Sequence, residues 1–325
     1  MRRRSEILLF ALAATVAAVA VFWPLASAKY PPITDLPFHA AQTSAFRHYH
    51  DGAYHFRDQF ELRPVAVPYV SSYALGAVFM LVLPVTAAVK LATGVMLMLL
   101  PAGLATLAWG MRKSPLLGVL GVPFAWCHLT HWGFINFVAA LGLFAMAAGL
   151  ALRAVDAPSR QTQLALALVL VVSFFTHTFR FPLTVLAVVG AAVVTYPVHR
   201  RIRPILLPLA PSLALFAAFW FLRPPALTGS VGALTIDGAR SSEIVPAIVS
   251  GFHDPAELRA AERHLWMVAA VAALSLLLWV LRMREATRDE RRFAALASLV
   301  PLGSAAAFLY LFFTLPMDIG GWWYV

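Results

Sequence analysis

Apolar residues run along this chain in blocks of fifteen to twenty-five, each block closed by a short basic loop or a polar turn, and that alternation predicts an all-α bundle that crosses a membrane repeatedly. The blocks read at 7–23, 86–110, 115–130, 133–152, 162–176, 181–197, 204–222, 265–281 and 293–314. A membrane-spanning helix needs about 20 apolar residues, so the expectation is a polytopic transmembrane helical bundle of about nine spans. Pro68 to Leu83 is also long enough to tempt a tenth. Counting it would reverse the side of every later loop, placing Arg112, Arg200 and Arg284 outside, so the stretch is read as interfacial or re-entrant.

The loops on one side are basic: Arg2 to Arg4, Arg112-Lys113, Arg153 to Arg160, His199 to Arg203 and Arg282 to Arg292. With Glu6 just beyond the first of them, they hold 15 of the 25 Lys and Arg and only 5 of the 15 Asp and Glu. Cytoplasmic loops of membrane proteins carry such an excess, which predicts a cytoplasmic N-terminus and a bacterial inner-membrane location. The opposite loops hold 9 Lys or Arg against 10 acidic residues.

Composition agrees: 61% hydrophobic and 12% charged residues exceed what a soluble core hides. The net charge of +10 is thereby topological rather than a nucleic-acid surface. Cys127 is the single cysteine, which leaves no intramolecular disulfide. The first apolar run ends near Ala26-Ser27-Ala28, which resembles a signal-peptidase site, but it exceeds the length of a signal core, so an uncleaved anchor is expected.

No soluble domain, repeat or low-complexity tract interrupts residues 1–325, which read as a single transmembrane domain with external loops at 28–85 and 223–264. In the first loop, Phe38, Ala41, Ala45, Phe46 and Tyr49 recur at helical spacing, while His39, Thr43, Arg47 and His50 share another face. This predicts an amphipathic juxtamembrane helix at the level of lipid headgroups. Asp35 stands at its entrance.

A first span, an external loop with an early acidic residue, an amphipathic juxtamembrane helix, further spans and a long later external loop together resemble the GT-C superfamily of integral-membrane glycosyltransferases. The residues that carry the resemblance are Asp35 with Leu36-Pro37-Phe38-His39, the Trp132-Gly133-Phe134-Ile135-Asn136-Phe137 entrance to a span, and Gly320-Gly-Trp-Trp-Tyr324. The resemblance implies a polyprenyl-phosphate-linked sugar as donor and a lipid, glycan or protein acceptor on the external face, with membrane lipids as surroundings and no nucleic-acid partner. Members of the superfamily commonly pair two acidic residues in the first loop. Here Thr34-Asp35-Leu36 carries one, and the second external turn has histidines in place of a carboxylate, so a divalent metal is not called for and the cofactor is open. The chain ends at Trp322-Trp-Tyr-Val325 without a polar tail, which reads as a fragment of a longer product.

Glycosyl transfer needs a base for the acceptor hydroxyl and a cation for the leaving phosphate. Asp35 is the candidate base, with helix N-cap as the rival reading of the same residue. Arg180 and Arg223 are the candidate phosphate ligands, with Arg63 and Arg240 as further external arginines. His39 lies one turn beyond Asp35 and could orient it or join it at a metal, although a solvated interfacial histidine is the simpler reading. His131, on the His128-Leu-Thr-His131 turn, faces a cavity or sits in the headgroup belt. His177 and Arg180, three apart, would meet an anion from one turn. His48, His50 and His55 read as surface residues, and Asp254 as the cap of a short amphipathic helix through Glu257, Arg259 and Glu262. Two rivals to the enzyme remain: a transporter or flippase lined by the same turns, and an assembly subunit. Transporters place ionisable groups near the midplane, whereas these spans contain Lys90 and few other charges.

Overall fold

A computed structural model describes residues 2–223 and 255–314, together with a two-residue antiparallel pair, Asp318–Ile319 with Trp322–Trp323. Apart from that pair, the regular structure described is helical. It comprises α1 (Arg2–Ser27), α2 (Leu36–Arg47), α3 (Phe56–Gln59), α4 (Ser71–Phe79), α5 (Val85–Gly110), α6 (Val122–Ala125), α7 (His128–Trp132), α8 (Ile135–Asp156), α9 (Arg160–Thr176), α10 (Phe181–His199), α11 (Arg203–Leu222), α12 (Pro255–Glu285) and α13 (Arg288–Thr314). Seven of these, α1, α5, α8, α10, α11, α12 and α13, are long and apolar enough to cross a membrane. The chain is an integral membrane protein with an all-helical fold.

The centre of the bundle is the pair α5 and α8. Gly103 of α5 lies against the Gly142 backbone of α8, and Gly110 against Gly149, so that a Cβ at any of the four would run into the facing main chain. Small residues let apolar helices approach until their backbones touch, which is how helices associate where no hydrophobic drive separates them from lipid. Both glycine pairs are seven residues apart in the same sense, so α5 and α8 run parallel. The segment between them must therefore return along their length.

That return is broken, where the sequence reading placed a continuous span at 115–130. A 3-10 helix, Pro115–Gly121, leads into α6 and then α7. Pro115 and Pro123 remove backbone donors and limit a continuous α-helix. Gly118 and Gly121 tuck against Pro101 and Leu104 of α5, so the broken segment packs where side chains would keep a regular helix away.

One end of the bundle collects the basic loops. Asp156, at the end of α8, takes two bonds from Arg112, Nε at 3.0 Å and Nη2 at 2.5 Å, and lies 3.4 Å from Arg153 and 3.5 Å from His199 of α10. Arg112 also covers the ring of Phe293 in α13. Residues following α5, ending α8 and α10, and beginning α13 thus meet at one end. A capping box closes the preceding turn: the Thr287 hydroxyl accepts from Glu290 N–H, and the Glu290 carboxylate accepts from Thr287 N–H.

At the other end α2 and α4 lie together, with Gly76 of α4 beneath the Thr43 side chain of α2. Helix α4 has nine residues, about 14 Å at 1.5 Å per residue, too short to cross. The interfacial alternative for Pro68 to Leu83 is the one this length permits. In α2 the first half of the face read as polar is packed, with Thr43 buried and His39 half-buried, whereas Arg47 and His50 are exposed and Phe38 of the apolar face is 57% exposed. An apolar face turned outward suits a helix bathed by lipid. The predicted separate helix through Glu257 and Arg259 is a correction: these residues belong to the first turns of the 31-residue α12. Asp254 lies outside the described residues.

Candidate functional site

Asp35 is held by main chain, not by its carboxylate. Ile33 is buried among Leu25, Leu36, Val89, Met96 and Ile135. Thr34 N–H donates to the His131 carbonyl at 2.8 Å, and His131 Nδ1 donates to the Pro32 carbonyl at 2.9 Å. These two bonds clamp residues 32–34 onto α7. Asp35 then occupies the N-cap position of α2, with φ −89° and ψ 6°, but its side chain makes no capping bond. A capping side chain accepts from the N–H of N2 or N3 while its own backbone is extended. Pro37 at N2 has no N–H to give, and the backbone of Asp35 is not extended. The carboxylate is left exposed at the end of the bundle.

Gly133 fixes how closely the α7–α8 turn approaches this carboxylate. Its φ is +106°, in the left-handed region that glycine favours, and a Cβ there would lie 2.5 Å from the Asp35 Cβ. The Gly133 carbonyl accepts from His39 Nε2 at 2.8 Å, and on the other side of the ring His39 Nδ1 lies 3.3 Å from the Tyr73 hydroxyl. Burial, and next the negative charge of Asp35, push the Tyr73 hydroxyl above its ordinary pKa, which keeps it a donor. His39 is thus a partly buried positioning group, not a solvated histidine, and both its nitrogens are engaged away from a metal.

A second polar group lies on the α9–α10 turn. The Tyr69 hydroxyl is 3.2 Å from His177 Nδ1, Ser71 Oγ donates to Thr176 Oγ1 at 2.9 Å, and Val70 N–H donates to the Phe175 carbonyl at 3.1 Å. The edge of the His177 ring meets Phe137. Arg180 lies over the faces of Phe137, at 4.2 Å, and Phe308, at 5.8 Å. Burial first and the Arg180 charge second push the His177 pKa down to about 3. The ring is therefore neutral near pH 7, and of the predicted pair only Arg180 carries charge to an anion.

The two groups share their supports. Gly133 and Phe137 flank the start of α8, and Tyr69 and Tyr73 flank the start of α4. Between these flanking residues, Asn136 Oδ1 and Ser72 Oγ are buried without a hydrogen-bond partner. Polar atoms left so are uncommon in native structures. Asp35, His39 and His131 thus form one group and His177 with Arg180 the other, joined through α4 and α8. Arg223 stands apart: its guanidinium lies 3.7 Å from the ring centre of Trp220 on its own helix. Arg240 and the rest of 224–254 lie outside the described residues. Arg63 pairs with Glu61 on the surface, and His48 and His55 pair with Asp51 and Asp58. Among the described residues, no three of His, Cys, Asp and Glu gather as a metal site.

Gly133, Tyr73, Tyr69 and Phe137 are absent from the sequence-based set of site residues. Tyr69 and Tyr73 sit four apart, one helical turn, inside a stretch that hydropathy treats as uniformly apolar. Comparison of the chain with protein families, curated proteins and solved structures finds no match.

Proposed function

We propose that the protein is a membrane glycosyltransferase of GT-C type, which moves a sugar from a polyprenyl phosphate to an acceptor hydroxyl at the external face. The observation that carries this reading is the state of Asp35: an exposed carboxylate at an N-cap position that makes no cap bond. In this reading the broken segment and α9 complete nine crossings, the basic end is cytoplasmic, and the location is the bacterial inner membrane.

In the transfer step Asp35 takes the acceptor proton while the acceptor oxygen forms a bond to the anomeric carbon. The bond from that carbon to the phosphate oxygen breaks, and its electron pair leaves with the phosphate. Arg180 is the cation on the same face that answers this charge. His39 and Tyr73 act through Gly133, holding the turn against Asp35.

The test is incubation of purified protein with a panel of radiolabelled polyprenyl-phosphate sugars, following transfer or release. Asp35→Asn should fold, bind donor and lose transfer by roughly 10²–10⁴-fold, the range for removal of a general base. Wild-type transfer by Asp35→Asn, or no turnover of any donor, would overturn the reading.

A further inference from the structure

The Ala26-Ser27-Ala28 triplet at the end of α1 has no part in the proposed transfer. Small residues third and first before a bond, behind an apolar run that follows a basic cluster, are what a signal peptidase reads, so the bond concerned is Ala28–Lys29. A peptidase pairs main chain to main chain with an extended segment. In the folded chain this segment is not extended, because α1 runs on to Ser27. Two anchors keep it so. Upstream, α1 has one buried stripe, Ala17, Val21 and Leu25, and the Phe22 ring fills the space over Gly94 of α5, where a Cβ would lie 2.1 Å from it. Downstream, Pro31 and Ile33 are buried and the bonds with His131 pin residues 32–34. Residues 28–30 remain between the anchors, too few to be drawn out straight without moving one of them.

The last turn of α1 does not hold itself. Pro24 lies within the helix and lacks the N–H that would close a helical bond to Ala20, so the turn that follows it starts one bond short. Lys90 of α5 makes up the loss: its Nζ donates to the Ala28 carbonyl at 2.6 Å, the carbonyl that a peptidase acting here must attack. A lysine on the final carbonyls of a helix stabilises that end. Lys90 is also the one ionisable side chain in the sequence of α5, and such a residue inside an apolar span calls for a specific role.

We infer that Ala28–Lys29 is a signal-peptidase site that the folded bundle keeps closed, with Lys90 as its latch. Cleavage adds water across the amide: the oxygen goes to the Ala28 carbonyl carbon, the hydrogen to the departing Lys29 nitrogen, and α1 loses its covalent tie to the bundle. The inference rests on the reading of the basic end as cytoplasmic, which puts the bond on the external side where such peptidases act, and is independent of the transferase reading.

The experiment expresses the full chain with a C-terminal tag in bacterial cells and reads its intact mass and N-terminal sequence, then repeats the reading on purified protein in detergent with purified signal peptidase. Wild type is expected to keep α1 in both. Lys90→Met keeps the apolar stem and removes the donor, and Gly94→Val displaces the Phe22 ring. Each should be cut between Ala28 and Lys29 faster by about tenfold or more, the factor that goes with loss of one strong hydrogen bond. Adding Ala28→Leu to either should abolish the cut. Should a variant fold badly, wild type loosened by warming in detergent is the substrate: it should gain the same cut, and Ala28→Leu should prevent it. Wild type isolated with Lys29 at its N-terminus, Lys90→Met left intact, or a cut that survives Ala28→Leu would each overturn the inference. The orientation fails separately, since cutting of Lys90→Met in detergent but not in cells leaves the latched site and removes the external placement of the bond.

Discussion

The two ends of the bundle treat their charges in opposite ways. At the basic end Asp156, whose side chain is 5% exposed, is surrounded by Arg112, Arg153 and His199. That one carboxylate gathers three basic side chains, and they come from three different segments. At the other end Asp35 makes no cap bond, Arg180 rests on aromatic faces, and Asn136 and Ser72 keep buried polar atoms without partners. A compensated cluster joins helices. Buried polar atoms without a partner, such as Asn136 Oδ1 and Ser72 Oγ, cost stability and persist only where the surrounding fold imposes them.

The sharpest way to break this comparison is to remove one carboxylate at each end. Asp35→Asn should leave thermal stability near the wild-type value while transfer falls by the 10²–10⁴-fold given above. Asp156→Ala should do the reverse. Removing one partner of a buried ion pair costs about 3–5 kcal/mol; because Arg112 is 43% exposed, the expected loss is discounted to about 2–3 kcal/mol. Denaturation in a detergent series measures it. If Asp35→Asn destabilised as much as Asp156→Ala, the contrast between the ends would be gone.

A smaller effect sharpens the same contrast through Gly133. Gly133→Ala forces a side chain into a left-handed backbone and against Asp35, for an expected cost of roughly 1–3 kcal/mol together with impaired transfer. Gly52→Ala, where a Cβ meets nothing within 4 Å, should change both by little. Equal behaviour of the two variants in unfolding and transfer assays would show that the close approach at Asp35 is not required.

Hydropathy and the position of the arginines made most of this architecture legible. The predicted blocks lie within or overlap the observed helices, and the charge bias separates Pro68 to Leu83 from the spans, in keeping with the nine residues of α4. What hydropathy could not show is continuity. Residues 115–130 have span-like composition, but their prolines and the depth of Gly118 and Gly121 against α5 set a broken path that only packing reveals. The candidate site was half visible. Asp35, His39, His131, His177 and Arg180 stand out as ionisable groups beside apolar runs, but the residues that arrange them are a glycine, two tyrosines and a phenylalanine 34 to 108 positions away in the chain from the groups they serve. Pro37 was a readable signal against the cap, since a residue without N–H at N2 leaves a capping aspartate one partner short.

The smallest expected effect is a pH dependence that belongs to one end only. His177 is neutral in the folded protein down to about pH 3, whereas an unfolded histidine titrates near 6.5. Between these values the unfolded chain holds the extra proton, so stability is fully present above about pH 6.5 and falls as the pH drops through the window, by up to about 1.4 kcal/mol per pH unit from this group. The groups facing the ring are Arg180, whose charge opposes protonation, and the Tyr69 hydroxyl. Thermal unfolding of wild type and His177→Gln between pH 6.5 and 5, above the range where ordinary carboxylates titrate at about 4, isolates the contribution. The wild-type midpoint should fall as the pH is lowered across this interval, and the variant, lacking the ring, should fall less. Parallel slopes would mean that His177 takes up its proton as readily folded as unfolded, and that the charge-free packing of the α9–α10 turn beneath Arg180 is wrong.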